Sequence, residues 1–436
     1  MTTEITIVDE FDPEVTAMLQ AFYSRSHKPI KERIAEFGTD NTAIKESLKK
    51  FYVGYGHKSI GQCGSTTIYL EGISILAAKA IQDTPLYNGQ ETSTRFIDFT
   101  SQPMVDPLDR PDIQQAWIDF YAKAQKPTIE HVAAERGLDL TDAKDYAAAK
   151  ARAFDILRAF IPAGATTQLS WYTSFTHAED RLMQLRQHPL EEIREIAQGI
   201  IDELEVRYPY ACAGLNDRVH KFRGYFMHGS EALNYFPLTM NSEYVDFLAY
   251  MTGNERTPMS SLGDRRIKGV PVPKQLAYTG EINFDFILDY GSFRDIQRHR
   301  PLTQMLPILT TELGFNDWYL NALPEPLRYA AIGLIAAQTY EVSRFANDIP
   351  ETDIQYYIPL GFNVGVSIMC NYPQAVYLAE IRTSKFVHPT LRKVAIKMAK
   401  VLEGLGYSNI FVDTSDDEFT IRRGQQTITE IGKKDD

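Results

Sequence analysis

Hydrophobic and polar positions along the chain follow two periods. Apolar residues recurring every three to four positions, opened by proline or a polar residue, predict amphipathic helices over 41–52, 111–135, 141–160, 189–205, 326–347 and 389–405. Two short apolar runs, 67–70 and 284–287, read as strands. Each is followed by a glycine (Gly72, Gly291), a further helix and a Pro-Leu pair (Pro85-Leu86, Pro301-Leu302).

These landmarks occur in the same order twice. Ile161-Pro162-Ala163-Gly164 leads on to Leu185-Arg186, His188-Pro189 and Ile193-Arg194. Ile358-Pro359-Leu360-Gly361 leads on to Ile381-Arg382, His388-Pro389 and Leu391-Arg392 at nearly the same spacing. Ordinary turn chemistry explains any one of these pieces but not their shared order. The chain therefore reads as one α+β unit used twice. The first copy is placed at 1–235 and the second at 236–436, and the turn-rich stretch 241–272 is the candidate junction.

Composition narrows the class. At roughly 150 residues per domain, 436 residues make two or three globular units. A formal charge of −12, from 57 acidic against 45 basic residues, opposes nonspecific attraction to nucleic-acid phosphates, so no nucleic-acid partner is expected. The first ten residues lack the apolar core of a signal peptide, and the apolar run near 329–337 falls short of the ~20 residues a membrane span needs. Cys63, Cys212 and Cys370 form neither a disulfide framework nor a zinc ribbon. Nine histidines show no metal-ligand spacing. A soluble cytoplasmic protein with no membrane association and no metal is expected.

Three stretches could carry chemistry. Arg294-Asp295-Ile296-Gln297-Arg298-His299-Arg300, read as helix, puts Arg294 and Arg298 on one face, where an anion or Asp295 would relieve their repulsion; the competing reading is a solvated basic helix end. Gln90-Glu91-Thr92-Ser93-Thr94-Arg95-Phe96, read as a loop entering a strand, projects Glu91, Ser93 and Arg95 to one side, where they suit a sugar and its phosphate. An isolated surface hydrogen-bond cluster is the alternative. Gly54-Tyr55-Gly56-His57-Lys58-Ser59 lacks the dinucleotide-loop spacing and comes after a helix rather than a strand, leaving His57 and Ser59 as cofactor-contact or merely structural residues.

Together these pieces resemble the flavin-dependent thymidylate synthases, whose signature joins Arg-His-Arg to a following Ser-x-Arg, with Gly-His-x-Ser upstream. Here the signature is divided. The second copy has Arg298-His299-Arg300 without Ser-x-Arg; the first has Gly56-His57-Lys58-Ser59 and Ser93-x-Arg95, with Asp83-Thr84-Pro85 (or Gln82-Asp83-Thr84) where Arg-His-Arg belongs. Gln62-Cys63 stands where the family shows Glu-His. Arg158, four residues before Pro162, fits a nucleotide-binding arginine that is Gln355 in the second copy. Asn371, eleven residues before Arg382, fits a flavin-binding asparagine that is Phe175 by the same count back from Arg186.

The resemblance implies two tandem units of that fold, each a small, mostly antiparallel sheet packed with helices, enclosing one composite site. It implies FAD as cofactor, held by Arg298, His299, Arg300 and Asn371 with His57 and Ser59. It implies a dUMP-like nucleotide held by Glu91, Ser93, Arg95 and Arg158, and Arg298, Arg382 and Arg186 as catalytic candidates. Methylenetetrahydrofolate and NADPH are the implied cosubstrates, and a homodimer forming a pseudo-tetramer the implied assembly. Two other readings stay open: flavin-dependent modification of a different pyrimidine nucleotide or with another carbon donor, and a catalytically silent nucleotide-binding protein.

Overall fold

The computed structural model describes residues 6, 8–36, 41–221, 235–236, 247–252, 266–345, 349–405, 409–415 and 419–422. Most of the candidate junction 241–272 lies outside them. The chain opens with helices α1 (Pro13–Tyr23), α2 (Ile30–Glu36), α3 (Thr42–Leu48) continued by a π-helical turn (Lys49–Gly54), and α4 (Lys58–Gly61). Strand β1 (Ser65–Ser74), α5 (Ile75–Gln82), β2 (Asn88–Glu91), α6 (Pro111–Arg136) and α7 (Ala143–Leu157) come next. A 3-10 turn, Arg158–Phe160, leads into β3 (Thr166–Ser174), α8 (Phe175–Leu185), α9 (Glu191–Arg207) and α10 (Leu215–His220).

After the short strands β4 (Tyr235–Phe236) and β5 (Phe247–Thr252), the order recurs: β6 (Glu281–Asp289), α11 (Tyr290–Ile296), β7 (Thr303–Gln304), β8 (Leu306–Pro307), α12 (Asp317–Asn321) and α13 (Glu325–Phe345). Then come α14 (Glu351–Ile354), a 3-10 turn Gln355–Tyr357, β9 (Asn363–Asn371), α15 (Tyr372–Arg382) and α16 (Pro389–Gly404). The helical periodicity thus finds its helices, while β3 and β9 are not among the predicted strands, although β9 alternates the buried Val364, Val366, Ile368 and Cys370 with Gly365, Ser367 and Met369.

Contacts divide the chain into two compact units that are discontinuous in sequence. Unit one comprises Met1–Glu71, Ala80–Glu91 and Gln168–Asn234; unit two comprises Gly72–Lys79, Thr92–Thr167 and Tyr235–Asp436. The three-stranded sheet has the order β1-β3-β2, with β2 antiparallel to β3 and Glu91 opposite Leu169. In unit one, Val15, Met18, Leu48, Ile201 and Leu204 are buried, and the buried Glu14 carboxylate accepts the backbone N–H groups of Tyr210 and Ala211 at 3.0 and 2.8 Å.

In unit two the sheet runs β5-β6-β9-β7, every pair antiparallel. Strand β6 alternates its burial, so Ile282, Phe284, Phe286 and Leu288 form one apolar face, and α16 packs against this strand. Burying such a row stabilises a sheet by about 1.5–3 kcal/mol per large side chain. Among the described residues no helix is long and apolar enough to cross a membrane.

Inside unit two, the two Ile-Pro-x-Gly motifs lie against each other. Pro162 bridges Pro359, 197 positions away. Ala163 N–H donates to the Ile358 carbonyl and Leu360 N–H to the Ile161 carbonyl, each at 3.0 Å. Gly164 N–H donates to Tyr356 and Gly361 N–H to Ala159, at 3.0 and 2.9 Å. Exchanging each residue for the one 197 positions on turns one bond of each pair into the other. The flanking bonds match as well: Ile75 N–H to Ala165 and Leu76 N–H to Ala163 correspond to Tyr290 N–H to Phe362 and Gly291 N–H to Leu360. The motif's glycine has a steric cause. A Cβ at Gly164 would meet the Tyr356 carbonyl at 2.7 Å, and one at Gly361 would meet Phe315 at 2.4 Å and Ala159 at 2.7 Å.

Candidate functional site

The site of unit two is built around Asp295. Helix α11 is capped by Asp289, whose carboxylate accepts Ser292 N–H at 2.8 Å, and ends at Ile296 with Gln297 as C-cap. Arg298 therefore lies beyond the helix and does not share a helical face with Arg294, contrary to the helical reading of this stretch. The bend after the helix places its guanidinium beside Asp295, Nε to Oδ1 3.7 Å, half exposed. His299 N–H donates back to the Ile296 carbonyl at 2.8 Å and the ring is buried.

Arg382, at the last position of α15, reaches this loop. Its Nε donates to His299 Nε2 at 2.7 Å and its Nη2 to the Asp295 carbonyl at 2.6 Å. Because His299 Nε2 accepts, the neutral ring carries its proton on Nδ1. Burial, joined by Arg382 and Arg298 against the opposite pull of Asp295, pushes the His299 pKa down to about 3, so the ring is neutral at pH 7.

Arg158 enters from the 3-10 turn after α7 and is buried. Its Nη2 donates to Ser292 Oγ at 2.7 Å and lies 3.8 Å from Asp289; its Nη1 lies 4.0 Å from Asp295. Tyr319 on α12 donates its hydroxyl to Asp289 at 2.7 Å, on the same carboxylate oxygen that Ser292 N–H and Arg158 face, and accepts from Arg158 Nε at 3.4 Å. Burial opposes the charge of Arg158, but Tyr319, Asp289, Asp295 and Asp155 around it outweigh that and hold its pKa above the ordinary value. Ser292 Oγ also meets Thr390 Oγ1 at 2.7 Å and His388 Nδ1 at 3.3 Å.

Arg95 donates from Nε to the fully buried Asp155 on α7 at 2.9 Å. The stretch around it is not a loop entering a strand. Strand β2 ends at Glu91, and the chain beyond it forms a turn in which Phe96 and Ile97 N–H both donate to the Ser93 carbonyl, at 3.3 and 3.1 Å. Glycine-free but rich in short hydroxyl side chains, the stretch turns on Ser93 Oγ, which accepts Arg95 N–H at 3.3 Å, a side-chain turn that competes with strand pairing.

Burial works against the charge of Asp295 too, yet Arg382, Arg298, Arg158 and Arg95, in that order of influence, hold its carboxyl below the ordinary carboxylate range. About a fifth of its side-chain surface is exposed. Guanidinium groups from both halves of the sequence thus share one carboxylate that solvent reaches. Among the described residues no group of histidines, cysteines and carboxylates is arranged to hold a metal ion. The donor set fits phosphate-bearing ligands: planar guanidinium forks grip phosphate oxygens in pairs, and Arg298 keeps an exposed edge for one.

The other candidates are spread over both units. Arg300 is half-buried in the same loop. Asn371 caps α15, accepting Gln374 N–H at 3.1 Å, while Gln374 Nε2 donates to the Pro301 carbonyl at 2.9 Å and ties the cap to the Arg-His-Arg-Pro loop. Four candidates belong to unit one. Glu91 accepts from Gln82 Nε2 at 2.9 Å. His57 and Ser59 are exposed, the His57 ring stacked 6.1 Å from Phe51. Arg186 lies 3.3 Å from His220 Nε2. The helix frames also correct a count: α8 and α15 start 197 positions apart, so Ser174 stands where Asn371 does and the buried Leu185 where Arg382 does, not Phe175 and Arg186.

Asp289, Ser292, Tyr319 and Asp155 do not stand out in the sequence, and His388 does so only as a landmark of the repeated order. Only Asp295, set among arginines, carries a signal there; the others are single polar residues whose role depends on long-range packing.

Residues 6–210 match the family described as thymidylate synthase complementing protein. A UPF0159 protein of Chlamydia muridarum is 24% identical, covering 79% of this chain and 76% of its own length. A UPF0159 protein of Chlamydia pneumoniae is also 24% identical, with 84% and 79% covered, and one of Thermoplasma acidophilum is 21% identical, with 91% and 95% covered. Among solved structures, the flavin dependent thymidylate synthase of Helicobacter pylori complexed with FAD and dUMP aligns with 47% of this chain and 94% of its own, at 12% identity and a TM-score of 0.30.

Proposed function

We propose, from the match of residues 6–210 to the thymidylate synthase complementing protein family, that the chain methylates dUMP to dTMP with FAD, methylenetetrahydrofolate and NADPH, at one site composed from both halves of its sequence. The observation that carries this reading is that Arg158, from the first half, and Arg298, from the second, lie 4.0 and 3.7 Å from the Asp295 carboxylate, while Arg382 donates to the Asp295 carbonyl.

In this reading Ser93, Arg95 and Arg158 take the nucleotide phosphate and Glu91 the sugar. Asp295 holds the guanidinium groups in place until the phosphate arrives, then shares them with it. Arg298, His299, Arg300 and Asn371 would hold FAD, with His57 and Ser59, at the exposed start of α4, in the same role. When bound, reduced flavin supplies the hydride. Arg382, fixed by neutral His299 and the Asp295 carbonyl, stabilises charge developing on a pyrimidine oxygen. A preorganised guanidinium of this kind contributes on the order of 3 kcal/mol to a transition state.

The test uses purified protein reconstituted with FAD. Arg95→Ala and Arg298→Ala are each expected to abolish dUMP-dependent flavin oxidation, and mixing the two inactive proteins is expected to restore none, because in this reading both side chains serve one site of one chain. Recovery on mixing overturns the single-chain site. A yellow protein that binds dUMP yet makes no dTMP moves the reaction to another pyrimidine or carbon donor; a protein that binds neither flavin nor nucleotide ends the enzymatic reading.

A further inference from the structure

Helix α13 leaves an apolar face uncovered. Tyr329, Ile332 and Tyr340 are 66, 47 and 64% exposed, and Gly333, Ala336 and Ala337 between them are exposed as well. At 3.6 residues per turn Tyr329, Gly333, Ala336, Ala337, Tyr340 and Arg344 share one side. The helix packs on α6 of its own unit through its other side, where Ala331 and Val342 are buried.

The first half of the sequence covers its corresponding helix. There α6 buries Ile113, Trp117, Tyr121, Ile129 and Val132 and packs against the fifteen-residue α7, which runs into the 3-10 turn at Arg158. In the second half only residues 346–350 separate α13 from α14, a single turn that leads into the corresponding 3-10 turn at Gln355. No counterpart of α7 fits in that space.

Gly333 adds an independent sign. Glycine inside a helix is destabilising relative to alanine. A Cβ at Gly333 would meet nothing within 4 Å, so no packing among the described residues requires its smallness.

We propose that this face is the contact between two copies of the chain, the helices crossing antiparallel about a two-fold axis near residues 334 and 335. The sequence is complementary to itself about that point. Tyr329 of one copy meets Tyr340 of the other, Gly333 meets Ala336, and Ile332 flanks Ala337. The ends match in charge: Glu325, exposed, faces Arg344, whose side chain is 62% exposed and whose ion-pair partner among the described residues is Glu341 at 3.2 Å. An isologous contact has this property, each pairing occurring twice. Small residues at the crossing let the two backbones approach, and the tyrosines close its ends.

Sedimentation equilibrium of the full chain without ligands tests this independently of the reaction, since assembly is read rather than turnover. Wild type is expected to be a dimer at micromolar concentration. Glu325→Arg and Arg344→Glu are each expected to raise the dimer dissociation constant about tenfold or more through like charges at the contact, and the double reversal to restore it. Gly333→Leu is expected to give monomers with unchanged helical circular dichroism. A monomeric wild type overturns the proposal, as does a dimer indifferent to Gly333→Leu or a double reversal no tighter than the single ones.

Discussion

His299 and Asp295 respond to acid in ways that depend on their surroundings. The His299 pKa falls from 6.5 to about 3 in the folded protein, and that of His188 in unit one does the same through burial and the charges of Arg181 and Arg194. Between pH 6.5 and about 3 the unfolded chain binds protons at these rings that the native chain does not. Stability therefore falls as pH falls through this window, by about 1.4 kcal/mol per pH unit for each ring. Asp295, its carboxyl held below the ordinary value of 3.8, adds stability that is lost only as pH falls below that value. The midpoint of thermal unfolding, followed from pH 7 to pH 4, is expected to drop steeply in wild type and less steeply in His299→Gln. An equal slope in the variant would mean that the ring titrates in the native state. The arginines of this site are legible as residue types in sequence, because Arg-x-x-x-Arg-His-Arg has an excess of charge that asks for a partner. The partners Asp155 and Asp289 are not, since a lone aspartate looks the same in a cap, a turn or a buried pair.

Helix starts bear on Asn371, which is a cap and a proposed cofactor contact. It caps α15 in a reciprocal box with Gln374, while Ser174 caps α8 alone by accepting His177 N–H at 3.3 Å. Replacing a capping asparagine by alanine costs about 1 kcal/mol, whereas serine keeps most of the cap. Asn371→Ala is thus expected to lower the unfolding free energy in urea by about 1 kcal/mol, and Asn371→Ser to leave it within a few tenths. Loss of flavin retention in both variants would separate the proposed cofactor contact from capping, and loss in the alanine variant alone would assign Asn371 to structure. Elements are the most readable level in sequence. The helices over 111–135 and 389–405 correspond to Pro111–Arg136 and Pro389–Gly404, because long amphipathic periods dominate their segments. Periodicity misleads where side chains compete with the backbone. At Ser93 the hydroxyl closes a turn, so alternation that suits a strand belongs to a loop.

At the scale of the whole chain, the Ile-Pro-x-Gly motifs are the two halves of one contact, which is why the same four positions recur in sequence. That contact relates positions whose chemistry has diverged. Arg158 corresponds to Gln355, whose amide is used up by Leu309 N–H at 3.0 Å and the Thr352 carbonyl at 3.0 Å. Asp155 corresponds to Thr352, Arg382 to Leu185, and the Asp289 and Ser292 pair to Ser74 and Ala77. Each of the charged groups Arg158, Asp155, Arg382 and Asp289 thus has a neutral residue as its counterpart. Titration calorimetry of the FAD-loaded protein with dUMP is expected to give one site per chain, and Arg158→Gln to remove that site entirely rather than halve it. The converse change, Gln355→Arg, places a charge among buried groups with no carboxylate at the Asp155 or Asp289 counterpart. It is expected to destabilise the fold by about 3 kcal/mol or more, without adding a second site. Two bound nucleotides per wild-type chain would mean that the neutral half still binds, and that the charges around Asp295 are not what selects the ligand.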